Sequence, residues 1–362
     1  MKADPQDLLA KYEPKEVKVL KLDRQVTAAR FSPCGDFLVG GGLDGPVLRW
    51  DVTSEETPEL SPLEGHRAWV EAYTFDPQGK HLFTADSWGE LCCWEYAQEN
   101  PQPIWKVDDA HNGWIRCVAV SADGKTLATC GMDQTVRLWS TQDGTKQQEL
   151  VGHGEDVFRV LFHPDGKRLL SGDMKGVVKL WDLATGQCVR EFDAGVLYVY
   201  RRIQEVGGVR AMALDQECKT LACGGTSPET SGNVTGPPTL LLFDFESGEL
   251  KKTIQFGDRN DVFVHDVIFH TDGFIIAVTS GTPGKGKFLL WRPQDEEPFF
   301  VTTKLANPHS VSLHPNGKRL AVIATNRGSN GNGRRLDKDG KYAGNNSPIH
   351  LFEFPTPEKA AT

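Results

Sequence analysis

The feature that most constrains this chain is a residue pattern that returns seven times along it. The copy at 152–182 shows it fully: Gly-His, an alternating apolar run, a turn at Pro164-Asp165-Gly166, a second apolar run, another turn and Leu180-Trp181-Asp182. Period-two alternation interrupted by Gly and Asp turns predicts three consecutive antiparallel strands. A three-stranded sheet with apolar residues on both faces buries neither face alone, so the copies must stack on one another.

The seven copies align without gaps from the first strand to the next turn. The first strands are predicted to begin at Val26, Val70, Ile115, Val157, Val209, Val264 and Pro308. Nine residues later every copy but the fifth has Gly: Gly35, Gly79, Gly124, Gly166, Cys218, Gly273 and Gly317. The third strands end on an aromatic residue: Trp50, Trp94, Trp139, Trp181, Phe243, Trp291 and Phe352. This agreement indicates one domain of seven repeats rather than two domains.

Gly-His at the start of a repeat and Trp-Asp at its end resemble the WD40-repeat family. The resemblance implies an all-β fold, a seven-bladed β-propeller whose blades each contain strands a to d from the inside outward. Residues 16–22, EVKVLKL, alternate as a strand and precede the first full repeat. In the family such a strand becomes the outer strand of the last blade and closes the ring. We therefore expect an N-terminal arm at 1–16, the propeller at 17–354 and a C-terminal tail at 355–362.

The resemblance also implies a buried tetrad in which His, Ser or Thr, Asp and Trp are joined by hydrogen bonds within a blade. The third repeat has all four at the expected positions: His111, Thr129, Asp133 and Trp139. Repeat two has Trp88 and repeat four has Lys175 where the Asp is expected. A buried His is costly unless it has a partner, so we interpret these histidines as structural rather than catalytic.

Insertions are concentrated in the later repeats. They occupy 193–208, 225–238, 280–287 and 325–347. Propeller topology places the links from strand d to the next strand a, and from strand b to strand c, on one face of the propeller. We call this the top face. Insertions confined to one face of a repeat protein often mark where it binds. The sequence therefore predicts a binding surface on the top face over blades five to seven.

The residues that flank the start of each inner strand are predicted to face the mouth of the central channel. The candidate partner-binding residues are Trp69, Glu71, Trp114, Arg116, Phe158, Arg210, Phe263, His265 and His309, with Arg334, Arg335 and Tyr342 from the long loop. Large flat side chains and Arg dominate interaction hot spots. The alternative is that the Trp rings only cover blade edges or pack beneath the long loops, and that the 325–347 loop is merely solvated.

Composition narrows the function classes. The net charge of −9 opposes a global attraction to nucleic acid or to anionic membranes. No apolar run reaches the length of a membrane span, and the N-terminus lacks the apolar core of a secretory signal. Eight Cys without a repeated pairing pattern favour a reducing compartment, so we expect a cytoplasmic protein. No motif for a metal, a phosphate-binding loop or a catalytic nucleophile is found, so we expect no cofactor.

These observations predict a non-enzymatic scaffold that binds a protein partner through the top face, especially through the long loops of blades five to seven. The sequence does not give the identity of that partner. We expect a monomeric propeller that works within a larger complex. Two alternatives stay open. The first is a hydrolase or lactonase-like propeller enzyme that uses the central channel, and the second is an RNA-binding propeller that uses the basic loop at 325–347.

Overall fold

The computed structural model describes residues 5–201, 203–229, 235–281, 284–325 and 346–355. Its strands form seven four-stranded antiparallel sheets and one two-stranded hairpin. Helix α1 (Pro5–Tyr12) and strand β1 (Lys15–Leu20) precede the first complete repeat. Because each repeat supplies its own sheet, the repeats of the sequence become the blades of the fold.

The first four blades share one plan of four strands in sequence order. Blade 1 comprises β2 (Val26–Phe31), β3 (Phe37–Gly42), β4 (Val47–Asp51) and β5 (Glu59–Leu63). Blade 2 comprises β6 (Val70–Phe75), β7 (Leu82–Asp86), β8 (Leu91–Trp94) and β9 (Pro103–Val107). Blade 3 comprises β10 (Ile115–Val120), β11 (Thr126–Gly131), β12 (Val136–Ser140) and β13 (Lys146–Leu150). Blade 4 comprises β14 (Val157–Phe162), β15 (Arg168–Asp173), β16 (Val177–Asp182) and β17 (Gln187–Asp193).

An additional hairpin separates blade 4 from the last three blades. After a 3₁₀ turn at Gly195–Leu197 it is formed by β18 (Tyr198–Arg201) and β19 (Gln204–Gly207). Blade 5 comprises β20 (Ala211–Leu214), β21 (Thr220–Thr226), β22 (Pro238–Asp244) and β23 (Leu250–Gln255). Blade 6 comprises β24 (Phe263–Phe269), β25 (Ile275–Ser280), β26 (Gly286–Trp291) and β27 (Phe300–Thr302). Blade 7 contains β28 (Ala306–Leu313), β29 (Arg319–Thr325) and β30 (Ile349–Glu353).

The fold is the predicted seven-bladed propeller, and every blade lines a central channel with residues of its inner strand or, in blade 5, with Arg210 just before that strand. Three inner strands begin elsewhere than predicted. β24 begins one residue earlier than Val264, β28 begins two residues earlier than Pro308, and β20 begins two residues later than Val209. The N–H of Val209 donates to the carbonyl of Asp173 in blade 4 at 3.1 Å, so this residue bonds to the neighbouring blade instead of its own sheet.

The two ends of the chain meet in the last blade. β1 pairs antiparallel with β30, with Lys15 opposite Glu353 and Leu20 opposite Ile349. The sheet order of blade 7 is therefore β1, β30, β29, β28. This strand covers the edge of β30 that would otherwise present unpaired backbone groups.

The core consists of apolar layers between neighbouring blades. One layer joins Ala128 and Cys130 of blade 3 to Val157, Phe162 and Trp181 of blade 4. Each of these five side chains is at least nine-tenths buried. A blade therefore buries its apolar surface only when its neighbours are present, as the repeat argument requires.

The turn between the first two strands of each repeat needs a left-handed backbone. The six glycines at this position have φ between 68° and 84°. Cys218, which replaces Gly in the fifth repeat, also has positive φ, at 52°. Its N–H donates to the carbonyl of Asp215 at 3.0 Å, so the turn is kept although a side chain is present.

The N-terminal helix docks on the propeller. Tyr12 is 5% exposed and packs against the rings of Phe274 and Phe354. Its hydroxyl and the Lys11 ammonium both bond to the carboxylate of Asp272. Within the described residues, no helix combines the length and apolarity needed to cross a bilayer.

Candidate functional site

Blade 3 holds the buried tetrad that the sequence predicts there. His111 Nε2 lies 2.7 Å from Thr129 Oγ1, and Trp139 Nε1 donates to the same hydroxyl at 2.8 Å. His111 Nδ1 lies 2.8 Å from Asp133 Oδ1. Burial lowers the pKa of His111, so its ring is neutral and donates through Nδ1. Burial opposes ionisation of Asp133, but the hydrogen bonds that its carboxylate accepts from His111, Asn112 and Thr135 together outweigh burial and lower the pKa of the Asp133 carboxyl.

Blade 2 holds a complete tetrad as well, contrary to the sequence-based expectation. His66 contacts Thr84 at 2.6 Å and Asp86 at 3.3 Å, and Trp94 Nε1 donates to Thr84 at 2.8 Å. Trp88 occupies the turn position where the carboxylate was expected. Asp86 ends β7 only two residues after Thr84 and reaches the same histidine from there.

Blade 4 repeats this arrangement. His153 Nδ1 lies 2.8 Å from Asp173 Oδ2, and Ser171 Oγ contacts both His153 and Trp181. Asp173 is the last residue of β15, whereas the expected position is held by Lys175. The prediction that blades 2 and 4 lack the Asp is wrong, because a carboxylate at the end of strand b substitutes for one in the following turn.

The central channel has a volume of about 950 Å³ and opens on the top face. Seven predicted partner-binding residues line it: Glu71, Arg116, Phe158, Arg210, Phe263, His265 and His309. Trp69 and Trp114 lie beside it in an adjoining groove. The other three candidates, Arg334, Arg335 and Tyr342, fall outside the described residues.

Aromatic rings and guanidinium groups are in contact around the first half of the mouth. Trp69 and Trp114 meet edge to face with ring centroids 5.7 Å apart. The Arg116 guanidinium lies 3.8 Å from the Trp114 ring centroid and 5.6 Å from that of Phe158. These distances are within the range of cation–π attraction.

The same contacts continue around the second half. The Arg210 guanidinium lies 3.9 Å from the Phe158 centroid and 5.4 Å from that of Phe263. Phe263 in turn meets His265 with centroids 5.7 Å apart. We call the seven residues joined in this way the mouth ladder: Trp69, Trp114, Arg116, Phe158, Arg210, Phe263 and His265. It spans blades 2 to 6, so residues distant in sequence form one surface.

Electrostatics at the mouth are dominated by crowded cations. Burial, together with the nearby Arg116 and Arg159, lowers the pKa of Arg210 to about 10. Burial and the neighbouring His309 lower the pKa of His265 to about 3, so this imidazole is neutral at pH 7. Burial raises the pKa of Glu71 although three arginines oppose the shift.

Deeper in the channel, an ion pair and hydrogen bonds join blades 1, 6 and 7. Arg30 of blade 1 pairs with Asp266 of blade 6 at 2.9 Å and donates to Ser310 of blade 7 at 2.8 Å. Asp266 also accepts the N–H of Val311 at 3.1 Å. This network ties the last two blades to the first.

A groove of about 450 Å³ beside the mouth contains residues that the sequence analysis did not select. Trp88 is 62% exposed there, and the Arg67 guanidinium lies 5.8 Å from its ring centroid. Leu43 lines the same groove. The signal in the sequence was the Trp itself, a large apolar residue in a turn that otherwise carries small and polar residues.

The described parts of the top-face insertions contact one another. Arg201 of the added hairpin donates to the carbonyl of Glu229 at 2.7 Å. Gly236 donates its N–H to the carbonyl of Arg259 at 2.9 Å. These hydrogen bonds connect the hairpin, the described residues 227–229 and 235–237 of the blade 5 link and the entry to blade 6, and we call this connected part of the top face the raised edge.

Three segments match the WD domain, G-beta repeat family: residues 57–95, 102–140 and 144–182. Each segment contains one of the three complete tetrads. The chain is a WD40-repeat protein.

Relatives of this WD40 protein include several curated proteins. It is 28% identical over 198 residues to the nuclear distribution protein PAC1 of Arthroderma otae, covering 46% of this chain and 42% of that protein. It is 28% identical over 171 residues to the guanine nucleotide-binding protein subunit beta of Nicotiana tabacum, covering 44% and 46%. A match to periodic tryptophan protein 2 of Arabidopsis thaliana covers 52% of this chain and 20% of that protein, at 28% identity. The chain spans about half or less of the length of these relatives.

Metal-ligating side chains come together at one place in the described part of this WD40 protein. His66, Asp86 and Glu90 lie within 4.8 Å of one another and are buried. His66 and Asp86 belong to the blade 2 tetrad, and Glu90 is paired with Arg67 and with Lys106. These groups already satisfy one another, which assigns the cluster a structural role in blade 2.

Proposed function

We propose that this WD40 protein is a non-enzymatic scaffold that binds a protein partner through its top face. The observation that carries the proposal is the mouth ladder. It presents aromatic and guanidinium groups, the types that dominate binding energy at interfaces, on one continuous surface. Trp69 and Trp88 are 47% and 62% exposed and line the same groove, and exposed apolar side chains that lie together mark interaction sites.

The relatives support this class of function. The guanine nucleotide-binding protein subunit beta is, by its name, one subunit of an assembly. We propose by analogy that this propeller is a single-chain component of a larger complex, with the arm, propeller and tail divided at 1–16, 17–354 and 355–362. A common fold alone does not identify the partner.

The channel offers little to an enzyme that would use it. Its Asp266 carboxylate is engaged by Arg30 and by a backbone N–H. The two histidines near the mouth, His265 and His309, have no carboxylate within 4.0 Å among the described residues. In enzymes that activate a nucleophile with a histidine base, the histidine is in turn oriented by a third group, often a carboxylate. This arrangement favours binding over catalysis.

The mouth ladder and the raised edge both support the proposed location of the binding surface. The mouth ladder supplies the centre of the proposed interface, and the raised edge formed by the hairpin and the blade 5 link supplies one side. We propose that the long loops of blades five to seven, including the basic segment at 325–347, extend the interface across that side.

The proposal is tested by quantitative affinity capture from the cell of origin. Baits are the wild-type protein, Trp69→Ala and Trp88→Ala, with Ile104→Ala and Val301→Ala as controls. The control residues are 47% and 45% exposed on outer strands, away from the mouth. We expect the Trp variants to lose a partner that both controls retain, at equal melting temperatures. Capture of the same proteins by all five baits would contradict the proposal.

A further inference from the structure

Arg116 has donors at the mouth but no acceptor for them. A guanidinium carries five N–H donors. Arg116 makes no hydrogen bond with any described residue, and its Nε is buried without a partner. The nearest acidic oxygen, Asp156 Oδ2, is 4.0 Å from Nη2, which is beyond hydrogen-bond distance. Its side chain is 20% exposed and lines the channel, so an acceptor arriving from outside reaches it.

The neighbouring arginines, Arg210 and Arg159, also lack an acidic hydrogen-bond partner among the described residues. Arg210 donates through Nε to the carbonyl of Gly207 at 3.0 Å and forms no ion pair with a described acid. Arg159 donates to the carbonyls of Arg210 and His265 and likewise has no acidic partner in the described ranges. Three guanidinium groups therefore meet at the mouth with no carboxylate in hydrogen-bond contact.

The indole of Trp114 is another buried donor that lacks an acceptor. The indole Nε1 of Trp114, which stacks with Arg116, is buried and has no acceptor among the described residues. Buried donors are normally paired, and exceptions call for an explanation. Since the unmatched groups here are N–H donors, the missing group is an acceptor.

We infer that Arg116 and Arg210, held over the Phe158 ring, bind the carboxylate of an acidic side chain on the partner protein. This inference rests on the proposed function and names the chemistry that its centre recognises. A carboxylate matches the planar donor pattern of a guanidinium and forms charge-assisted hydrogen bonds with it. The aromatic contacts hold both groups in place before binding, so less side-chain entropy is lost when the acid arrives.

Charge at the mouth favours a carboxylate over a nucleic acid. Glu71 and Asp156 lie at the same mouth, and the whole chain has a net charge of −9. A single carboxylate fits between three cations and two acids. A chain of phosphates would meet both acids and the negative surface beyond them.

The test uses the indole ¹⁵N–¹H resonance of Trp114, assigned with a Trp114→Phe variant. The probe is the capped peptide acetyl-Asp-Phe-Glu-amide, and its control is the uncharged isostere acetyl-Asn-Phe-Gln-amide. We expect the acidic peptide to shift this resonance in a saturable way that weakens with added salt. Arg116→Gln should weaken binding about tenfold or more, because a charge-assisted hydrogen bond contributes about 1.5–3 kcal/mol.

Arg168→Gln is the matched control, since Arg168 also stacks on an aromatic ring, 5.1 Å from the Phe245 centroid, but away from the mouth. It should bind the acidic peptide like the wild type. An equal response to both peptides, or no response to either, would overturn the inference. Tighter binding of inorganic phosphate or of oligouridylate than of the acidic peptide would overturn it too.

The affinity capture separates this inference from the proposed function. If Trp69→Ala loses a partner that Arg116→Gln retains, the acid-binding inference fails and the scaffold proposal stands. If neither variant loses a partner, the scaffold proposal fails. Loss of the same partner from both variants, with peptide binding at Trp114, supports the two together.

Discussion

Asp173 of blade 4 tests the tetrad most directly, because the sequence pattern placed Lys175 at the position of the carboxylate. Asp173 Oδ2 lies 2.8 Å from His153 Nδ1. Asp173 Oδ1 accepts the backbone N–H groups of Lys175 at 3.0 Å and of Val177 at 2.9 Å. Asp173→Ala removes all three hydrogen bonds at once.

The expected loss of stability depends on which acceptors the three N–H donors find after the substitution. His153 is 7% exposed, so its Nδ1–H is left buried without an acceptor, which costs about 1–3 kcal/mol. Lys175 is exposed, so water replaces part of the loss at the two turn amides, each of which contributes about 0.5–1.5 kcal/mol. We expect Asp173→Ala to lower the free energy of unfolding by about 3–5 kcal/mol, the range seen when one partner of a buried pair is removed.

The assay is urea denaturation followed by tryptophan fluorescence, with Lys175→Ala as the control. Lys175 is paired only at the surface, with Glu155 and, at 4.0 Å, with Glu205, so its removal should change stability by about 0.5 kcal/mol or less. Asp173→Asn keeps an oxygen for the turn amides and should fall between the two. A loss below about 1 kcal/mol for Asp173→Ala, or an equal loss for Lys175→Ala, would refute the reasoning.

Three further predictions concern other parts of the molecule. His265 has a folded pKa of about 3, below its ordinary value, so the unfolded chain binds its proton first and stability falls as pH drops below about 6.5. From pH 6.5 to 5 the wild type should lose about 2 kcal/mol more than His265→Gln in urea titrations, and parallel losses would contradict this. Gly166→Ala should destabilise the protein by about 1 kcal/mol because of its positive φ, although the added Cβ would meet nothing within 4 Å. Cys218→Gly should be neutral or slightly stabilising, because glycine adopts the positive φ of that position without strain. Equal effects of the two substitutions in thermal unfolding would exclude this explanation by backbone strain. Tyr12→Ala should cost about 3 kcal/mol and expose the arm to protease, whereas an unchanged cleavage rate would show that α1 is not held by this ring.

Much of the fold was readable from the sequence because each repeat carries its own signals. Alternation, a turn glycine such as Gly166 and a terminal aromatic such as Trp181 are local requirements of one blade. The register of seven copies then fixed the blade number. Strand limits were less predictable, since Val209 leaves its ladder to bond Asp173 of the preceding blade.

The candidate site was likewise predictable from the sequence only in part. Positions such as Arg116 and Phe158 were predictable at the channel mouth because a constant offset from the inner strand determines where a side chain points. Their contacts were not predictable, since the cation–π pairs join residues of different blades. The groove residue Trp88 was visible only as a departure from the pattern.

The sequence by itself thus determined the blade count and the positions that face the mouth, because both follow from short-range periodicity. Tertiary structure decided which groups satisfy one another. Asp86 and Asp173 complete their tetrads from the end of a strand, since a carboxylate needs only to reach the histidine, whatever its place in the repeat. The unmatched donors of Arg116 and Trp114 likewise appear only when the blades are packed, because an acceptor from any neighbouring blade would have satisfied them.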